Sequence, residues 1–184
     1  MQHASTTEPA SWTQEKLCEH LNVERSAITK IVKRTGLESI GGKYPWRRVL
    51  RAVHRTEGYL LAEHLDALKA RHASPALHAI TDLEEDLKQP LWDFARMATA
   101  MGYRPNTLSR KIREGRITLP FPVIQLGPRL RHYRPLDVRL WRDDQLLLDL
   151  PKPIDPTPTI PAQSAETQAP DDPGEALEKA LFGG

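Results

Sequence analysis

Apolar side chains recur at helical spacing near the start of the chain. Leu17 and Leu21 lie four residues apart, and Ile28 and Val32 repeat that spacing after a short interruption. Because residues three and four apart share one face of a helix, each run predicts a short amphipathic helix. A glycine commonly ends a helix in the left-handed conformation, so Gly36 predicts the end of the second helix.

The same pattern returns 80 residues later. The two copies align at five positions, which pair as Leu17 with Met97, Leu21 with Met101, Val23 with Tyr103, Ile28 with Leu108 and Val32 with Ile112. Each copy predicts a helix, a turn at Asn22 or Gly102, and a second helix, which is the layout of a helix-turn-helix. Helical periodicity alone is the alternative explanation.

The second helix of each copy presents polar side chains opposite its apolar stripe. On a helical wheel the outward positions are equivalent, and they hold Ser26, Lys30 and Lys33 in the first copy and Asn106, Arg110 and Arg113 in the second. A helix fits the DNA major groove, where Arg pairs with guanine and Asn with adenine. The recurring face predicts binding of double-stranded DNA, against the alternative of an ordinary solvated face.

A two-stranded ribbon is predicted after each second helix. In the later copy, apolar residues alternate around a turn at Gly127, and Arg129 and Arg131 point outward on the returning strand. Cations on a thin ribbon reach phosphates or a narrow minor groove. The earlier copy has a shorter ribbon around Gly41-Gly42, whose cations are Lys43, Arg47 and Arg48, and Pro45 can start another helix.

The remaining segments predict a helical connector and a tail. Residues 57–72 and 76–87 form leucine-striped helices, and a homodimer through residues 57–87 is predicted. Seven prolines among polar residues at 151–173 predict an acidic, disordered tail over 149–184, and residues 1–10 are also predicted to be disordered. The short helical motif at 175–182 is either a frayed end or a docking peptide for a protein partner.

Charge and chemistry narrow the function. Residues 11–75 hold 12 Lys and Arg against 7 Asp and Glu, and residues 88–145 hold 12 against 5. Such basic segments attract polyanions. Cys18 and His20 with His54 suggest zinc, but no second cysteine is present, so no metal is predicted. No catalytic motif, cofactor motif or membrane-length apolar run occurs, and the lone cysteine favours a reducing cytoplasm, where nucleoid association is expected.

The second copy resembles the excisionase-like and AlpA-like winged helix-turn-helix proteins of the MerR superfamily. The resemblance covers about 55 residues, namely the helix pair 91–114, Gly115, Leu119-Pro120-Phe121-Pro122, Leu126-Gly127, Arg129-Leu130-Arg131 and Asp137-Val138 with Trp141. The first copy is similar over about 45 residues but lacks the Pro-x-Pro segment. The resemblance implies DNA binding, with the second helix in the major groove and the wing beside it.

These features predict a mainly α-helical protein with small β wings. Two tandem winged helix-turn-helix domains are predicted at 11–56 and 88–148, joined by the connector 57–87. The expected function is sequence-specific DNA binding by a transcription regulator of a bacterial or mobile-element gene set. The alternatives are an excisionase that bends DNA and a protein-interaction adaptor. The predicted DNA-contacting residues are Ser26, Lys30, Lys33, Lys43, Arg47, Arg48, Arg104, Asn106, Thr107, Arg110, Arg113, Arg129 and Arg131.

Overall fold

The computed structural model describes residues 11–153, which begin with a short strand and a pair of helices. Strand β1 is Ser11–Trp12, helix α1 is Gln14–Leu21 and helix α2 is Arg25–Thr35. The Thr13 hydroxyl accepts a hydrogen bond from the Lys16 backbone nitrogen at 3.2 Å and caps α1. Gly36 ends α2 with a φ of 68°, so the predicted left-handed cap is confirmed.

A tight hairpin follows the first helix pair. Gly41 and Gly42 have φ values of 56° and 75°, and two successive positive φ angles are what the commonest two-residue hairpin turn requires. Strand β2 (Tyr44–Pro45) then pairs antiparallel with β1, a pairing that the sequence did not predict. Helix α3 (Trp46–Val49) follows Pro45, as predicted, and continues into a π-helical turn over Leu50–His54.

The connector contains three helices. Helix α4 is Gly58–Arg71, close to the predicted 57–72. The single helix predicted over 76–87 is wrong, because the chain forms α5 (Pro75–His78) and α6 (Leu83–Leu87) there. The Asp82 carboxylate accepts hydrogen bonds from the Glu84 and Glu85 backbone nitrogens, at 2.9 and 3.2 Å. Asp82 therefore starts a new helix where the sequence pattern runs on without a break.

The second helix pair leads into a ribbon and a closing helix. Helix α7 is Phe94–Ala100 and helix α8 is Pro105–Arg113. Strands β3 (Ile124–Gln125) and β4 (Arg131–His132) pair antiparallel, with Gly127 in the loop between them, as predicted. Helix α9 (Pro135–Asp144) completes the ordered elements. The described residues are thus mainly helical with two small antiparallel sheets, which confirms the predicted class at that level.

Most of the buried apolar side chains belong to one large core. This core draws on the first helix pair, on α4 to α6, and on Ile124, Leu126, Leu136 and Leu140 from the ribbon and the closing helix. A smaller core lies between the second helix pair and the chain that follows it, and it includes Met97, Leu108 and Tyr133. Residues 11–153 group into one compact unit, in which segments that are distant in sequence share one large core.

Two predictions for the connector and the tail need correction. The leucine stripe of α4, formed by Leu61, Leu65 and Leu68, is buried in the large core, so this face is not available to a second copy. Leu150 is also buried there, although the tail was expected to begin at 149. Residues 1–10 and 154–184, with the motif at 175–182, lie outside the described residues. Within 11–153 no helix is long and apolar enough to cross a membrane.

Candidate nucleic-acid interface

The two helix pairs start in the same way. Thr13 and Asp93 are 80 residues apart, and each caps its helix by accepting a hydrogen bond from the backbone nitrogen three residues later. A tryptophan directly precedes each cap, Trp12 in the first copy and Trp92 in the second. The two tryptophans, at the same offset as the apolar repeat, were a signal that the sequence interpretation missed.

The turns between the helices are also alike. Asn22 and Gly102 are left-handed, with φ values of 51° and 79°. The backbone nitrogen of the next residue donates a hydrogen bond to the carbonyl five positions earlier. The distances are 3.1 Å from Val23 to Cys18 and 2.9 Å from Tyr103 to Ala98. Helical periodicity alone does not produce identical turns, so the repeat is a repeat of backbone geometry.

The likeness continues beyond the helix pairs. Trp12 pairs with Tyr44, and Trp92 forms an antiparallel bridge with Tyr133, in which the two backbone hydrogen bonds measure 2.9 and 2.8 Å. A helix begins two residues after each tyrosine, at Trp46 and Pro135. The offset grows from 80 to 89 residues between these points, since the second ribbon is longer than the first hairpin.

The predicted recognition faces point to solvent. Ser26, Lys30 and Lys33 are exposed on α2, opposite the buried Ile28 and Ile31. Neither lysine has an ion-pair partner within residues 11–153. These lysines are therefore free to meet an external anion.

On α8 the equivalent side chains are exposed in the same way. Asn106, Arg110 and Arg113 lie opposite Leu108, which is buried. Arg110 approaches the Glu114 carboxylate only to 4.0 Å, and Arg113 has no ion pair in the described part of the chain. Contacts of this length between exposed side chains contribute little energy, so both guanidinium groups remain available.

The other predicted α8 residues lie near its start. Arg104 is the exposed residue before the first turn, and Thr107 is half-buried. Sequence reasoning missed Arg25 and Arg34, which are exposed at the two ends of α2 and form no ion pair among the described residues.

The two ribbons differ in the cations they carry. Arg129 and Arg131 are exposed on the second ribbon, as predicted from the alternation. In the first copy only Lys43 lies on the hairpin. The expectation that Arg47 and Arg48 also belong to this ribbon is wrong: both lie in α3, where the buried Trp46 and Val49 set the helical register. Arg48 also donates to the Glu38 carboxylate at 2.7 Å, which partly neutralises it.

The second ribbon lies beside the first helix pair. A crevice of about 660 Å³ is lined by Glu24 and Ala27 from the start of α2, by Phe94 of α7, and by Arg129 and Arg131 of the ribbon. His132 also contacts the Asn22 carbonyl through its Nε2 atom at 3.3 Å. The structure therefore brings exposed cations of the second copy next to α2, a proximity that no local pattern predicts.

The histidines considered for zinc contact each other instead. His20 and His54 are buried, and their Nε2 atoms lie 3.1 Å apart. His20 Nδ1 lies 3.1 Å from the Lys88 carbonyl and must donate to it, so its Nε2 accepts from His54. Burial lowers the pKa of His20 to about 4 and that of His54 well below its usual value. No group of three potential ligands is placed to hold a metal within 11–153.

Comparison of the chain with protein-family models, curated proteins and solved structures finds no match. The resemblance to winged helix-turn-helix proteins thus rests on the motif residues alone.

Proposed function

We propose that the chain binds double-stranded DNA in a sequence-specific manner and acts as a transcription regulator of a bacterial or mobile-element gene set. In this proposal each helix pair is a winged helix-turn-helix. The observation that carries it is the duplicated backbone geometry, which exposes one polar and two cationic side chains at equivalent places on α2 and α8.

The two recognition faces differ in chemistry. Arg110 and Asn106 are side chains that pair in a bidentate manner with guanine and adenine in the major groove. Lys30 and Lys33 are compact, flexible charges that suit phosphate contacts. We therefore assign base readout mainly to α8 and backbone anchoring mainly to α2.

The second ribbon extends the proposed surface. Arg129 and Arg131 are free of ion pairs among the described residues, and they border the same crevice as the start of α2. A ribbon of this kind contacts phosphates or a narrow minor groove next to the helix in the major groove. Both copies then engage one stretch of duplex.

The test is binding of the full chain to duplexes selected from a random pool, measured by fluorescence anisotropy across a salt series. If the protein contacts about eight phosphates, a plot of the logarithm of the binding constant against the logarithm of the salt concentration should have a slope near −7. The double variant Lys30→Ala and Lys33→Ala should reduce the magnitude of this slope by about 2 if both lysines contact phosphates. The control is Arg71→Ala with Arg142→Ala, which removes the same charge from exposed positions on α4 and α9 and leaves the slope unchanged.

The sequence also suggests two other roles. An excisionase is distinguished by DNA bending, which mobility shifts of circularly permuted sites measure. The adaptor role depended on the 57–87 leucine stripe, which is buried, and on the motif at 175–182, which lies outside the described residues. No structural observation favours either role over a regulator.

A further inference from the structure

A cavity of about 350 Å³ lies between segments that are distant in sequence. Its walls come from the end of the first copy, from strand β3, and from the extended chain after α9. Much of the lining is apolar, including Ala52, Val53, Ile124 and Leu150. This volume falls in the range of small-molecule sites, which combine apolar walls with a few polar groups.

One buried arginine in this cavity has hydrogen-bond donors that no described residue uses. Arg134 is only 4% exposed, and its Nε donates to the Asp137 carboxylate at 2.5 Å. Neither of its terminal nitrogens has a hydrogen-bond partner within residues 11–153, and Arg134 lines the cavity. A guanidinium offers five N–H donors, and burial is unfavourable when the remaining ones stay unpaired.

The charges around the cavity also favour an anion. Arg55 and Lys152 are exposed at its edge and form no ion pair in the described part of the chain. Among residues 11–153, Asp149 is the one acidic side chain that lines it. His54 adds no charge at neutral pH, because burial, together with the nearby His20 and Arg134, keeps its pKa well below the usual value. The lining is therefore net positive.

We propose that this cavity binds a small molecule that carries a carboxylate on a compact apolar body. The free end of the Arg134 guanidinium presents two parallel N–H donors, which match the two oxygens of a carboxylate. Lys152 and Arg55 attract the anion, and the apolar walls hold its body. The apolar lining favours such a ligand over inorganic phosphate, which offers the same charge with no apolar surface.

The cavity uses none of the charged residues assigned to the proposed DNA surface, although strand β3 of the second ribbon forms one of its walls. None of the predicted DNA-contacting residues lines the cavity. Binding of the small molecule is therefore measured in the absence of DNA, and its failure leaves the DNA-binding proposal untouched.

The test is a titration of the full chain with sodium benzoate, monitored by the NMR chemical shifts of the backbone amides. We expect saturable shifts at residues 52–55 and 122–126, with a Kd on the order of 1 mM for so small a ligand. Benzyl alcohol has the same size without the charge, and we expect it to bind at least about tenfold more weakly. Inorganic phosphate tests the charge alone and is expected to bind more weakly than benzoate.

Two variants test the arginine and the charge at the edge. Arg134→Gln is expected to abolish binding if the protein stays folded. Lys152→Glu changes an exposed residue, so folding is preserved, and it is expected to weaken benzoate binding about fivefold. Lys43→Glu makes the same charge change on the first hairpin and should have no effect. Absence of saturation, equal binding of benzyl alcohol, or equal effects of Lys152→Glu and Lys43→Glu would overturn the proposal.

Discussion

The two helix pairs have the same backbone design but different surroundings. Their caps, turns and tryptophan–tyrosine pairings correspond, whereas α2 exposes lysines and α8 exposes arginines and an asparagine. The first pair is embedded in the large core, and the second has a small core of its own. The two pairs therefore share backbone geometry but differ in exposed side chains, which is the basis for the different binding roles proposed for them.

The largest effect is expected from truncating the cores. Leu17 and Met97 are equivalent and both completely buried. Replacing either by Ala is expected to cost about 2–5 kcal/mol in the free energy of unfolding. Because the cores differ, hydrogen exchange should rise throughout the large core in Leu17→Ala but mainly around α7 and α8 in Met97→Ala. Identical exchange patterns would show that the two cores unfold as one.

The strongest acid sensitivity is expected in the first copy, although burial also lowers the pKa of His132 in the second ribbon. His20 and His54 are neutral when folded because their pKa values are lowered, to about 4 for His20, whereas a free histidine titrates near 6.5. Their stabilising contribution is therefore complete above pH 6.5 and is lost as pH falls towards 4. The position equivalent to His20 is Ala100, which does not titrate.

Denaturant unfolding between pH 7 and pH 4 measures this loss, which we expect to be about 3 kcal/mol for His20 alone. His20→Gln should flatten the profile, while the exposed His72→Gln should not. A profile that keeps its slope in His20→Gln would assign the acid sensitivity to other groups.

The proposed assignment of base readout to α8 and of phosphate contacts to α2 predicts different binding defects. Arg110→Ala is expected to cost about 1–3 kcal/mol on the preferred duplex and to relax preference at one base step. Lys30→Ala is expected to weaken binding to all duplexes by a similar factor. Competition assays with single-base variants of the site measure both effects, and a uniform loss in Arg110→Ala would make it a phosphate contact.

The smallest expected effect comes from the ribbons. Arg129→Ala and Arg131→Ala together should reduce the magnitude of the salt slope by about 2. Lys43→Ala should reduce it by about 1 at most. The reason is the difference in length, since the second ribbon carries two exposed cations and the first hairpin carries one. Equal slopes in the wild type and the double variant would remove the second ribbon from the DNA surface.

Local patterns were sufficient for the parts of the fold that local physics decides. Periodicity located the helices, and Gly36, Gly41 and Gly42 marked a cap and a turn, because each positive φ is a property of its own residue. The pairing of Trp12 with Tyr44 was missed, since it joins two-residue strands that are distant in sequence. The break at Asp82 was also missed, because capping competes with an apolar stripe that continues on both sides.

The candidate surfaces show the same limit. The outward positions of α2 and α8 follow from a helical wheel and are exposed as expected. The placement of Arg129 beside α2 and of Arg134 in a cavity depends on tertiary packing, which no spacing along the chain encodes. Nothing in the sequence around Arg134 distinguishes it from the exposed arginines nearby.

Selection of duplexes from a random pool by the full chain tests the central claim most directly. We expect enrichment of one motif, and the same selection with Arg110→Ala should lose preference at a defined position of that motif. Absence of any enriched sequence, or an unchanged motif in Arg110→Ala and Asn106→Ala, would contradict sequence reading by α8.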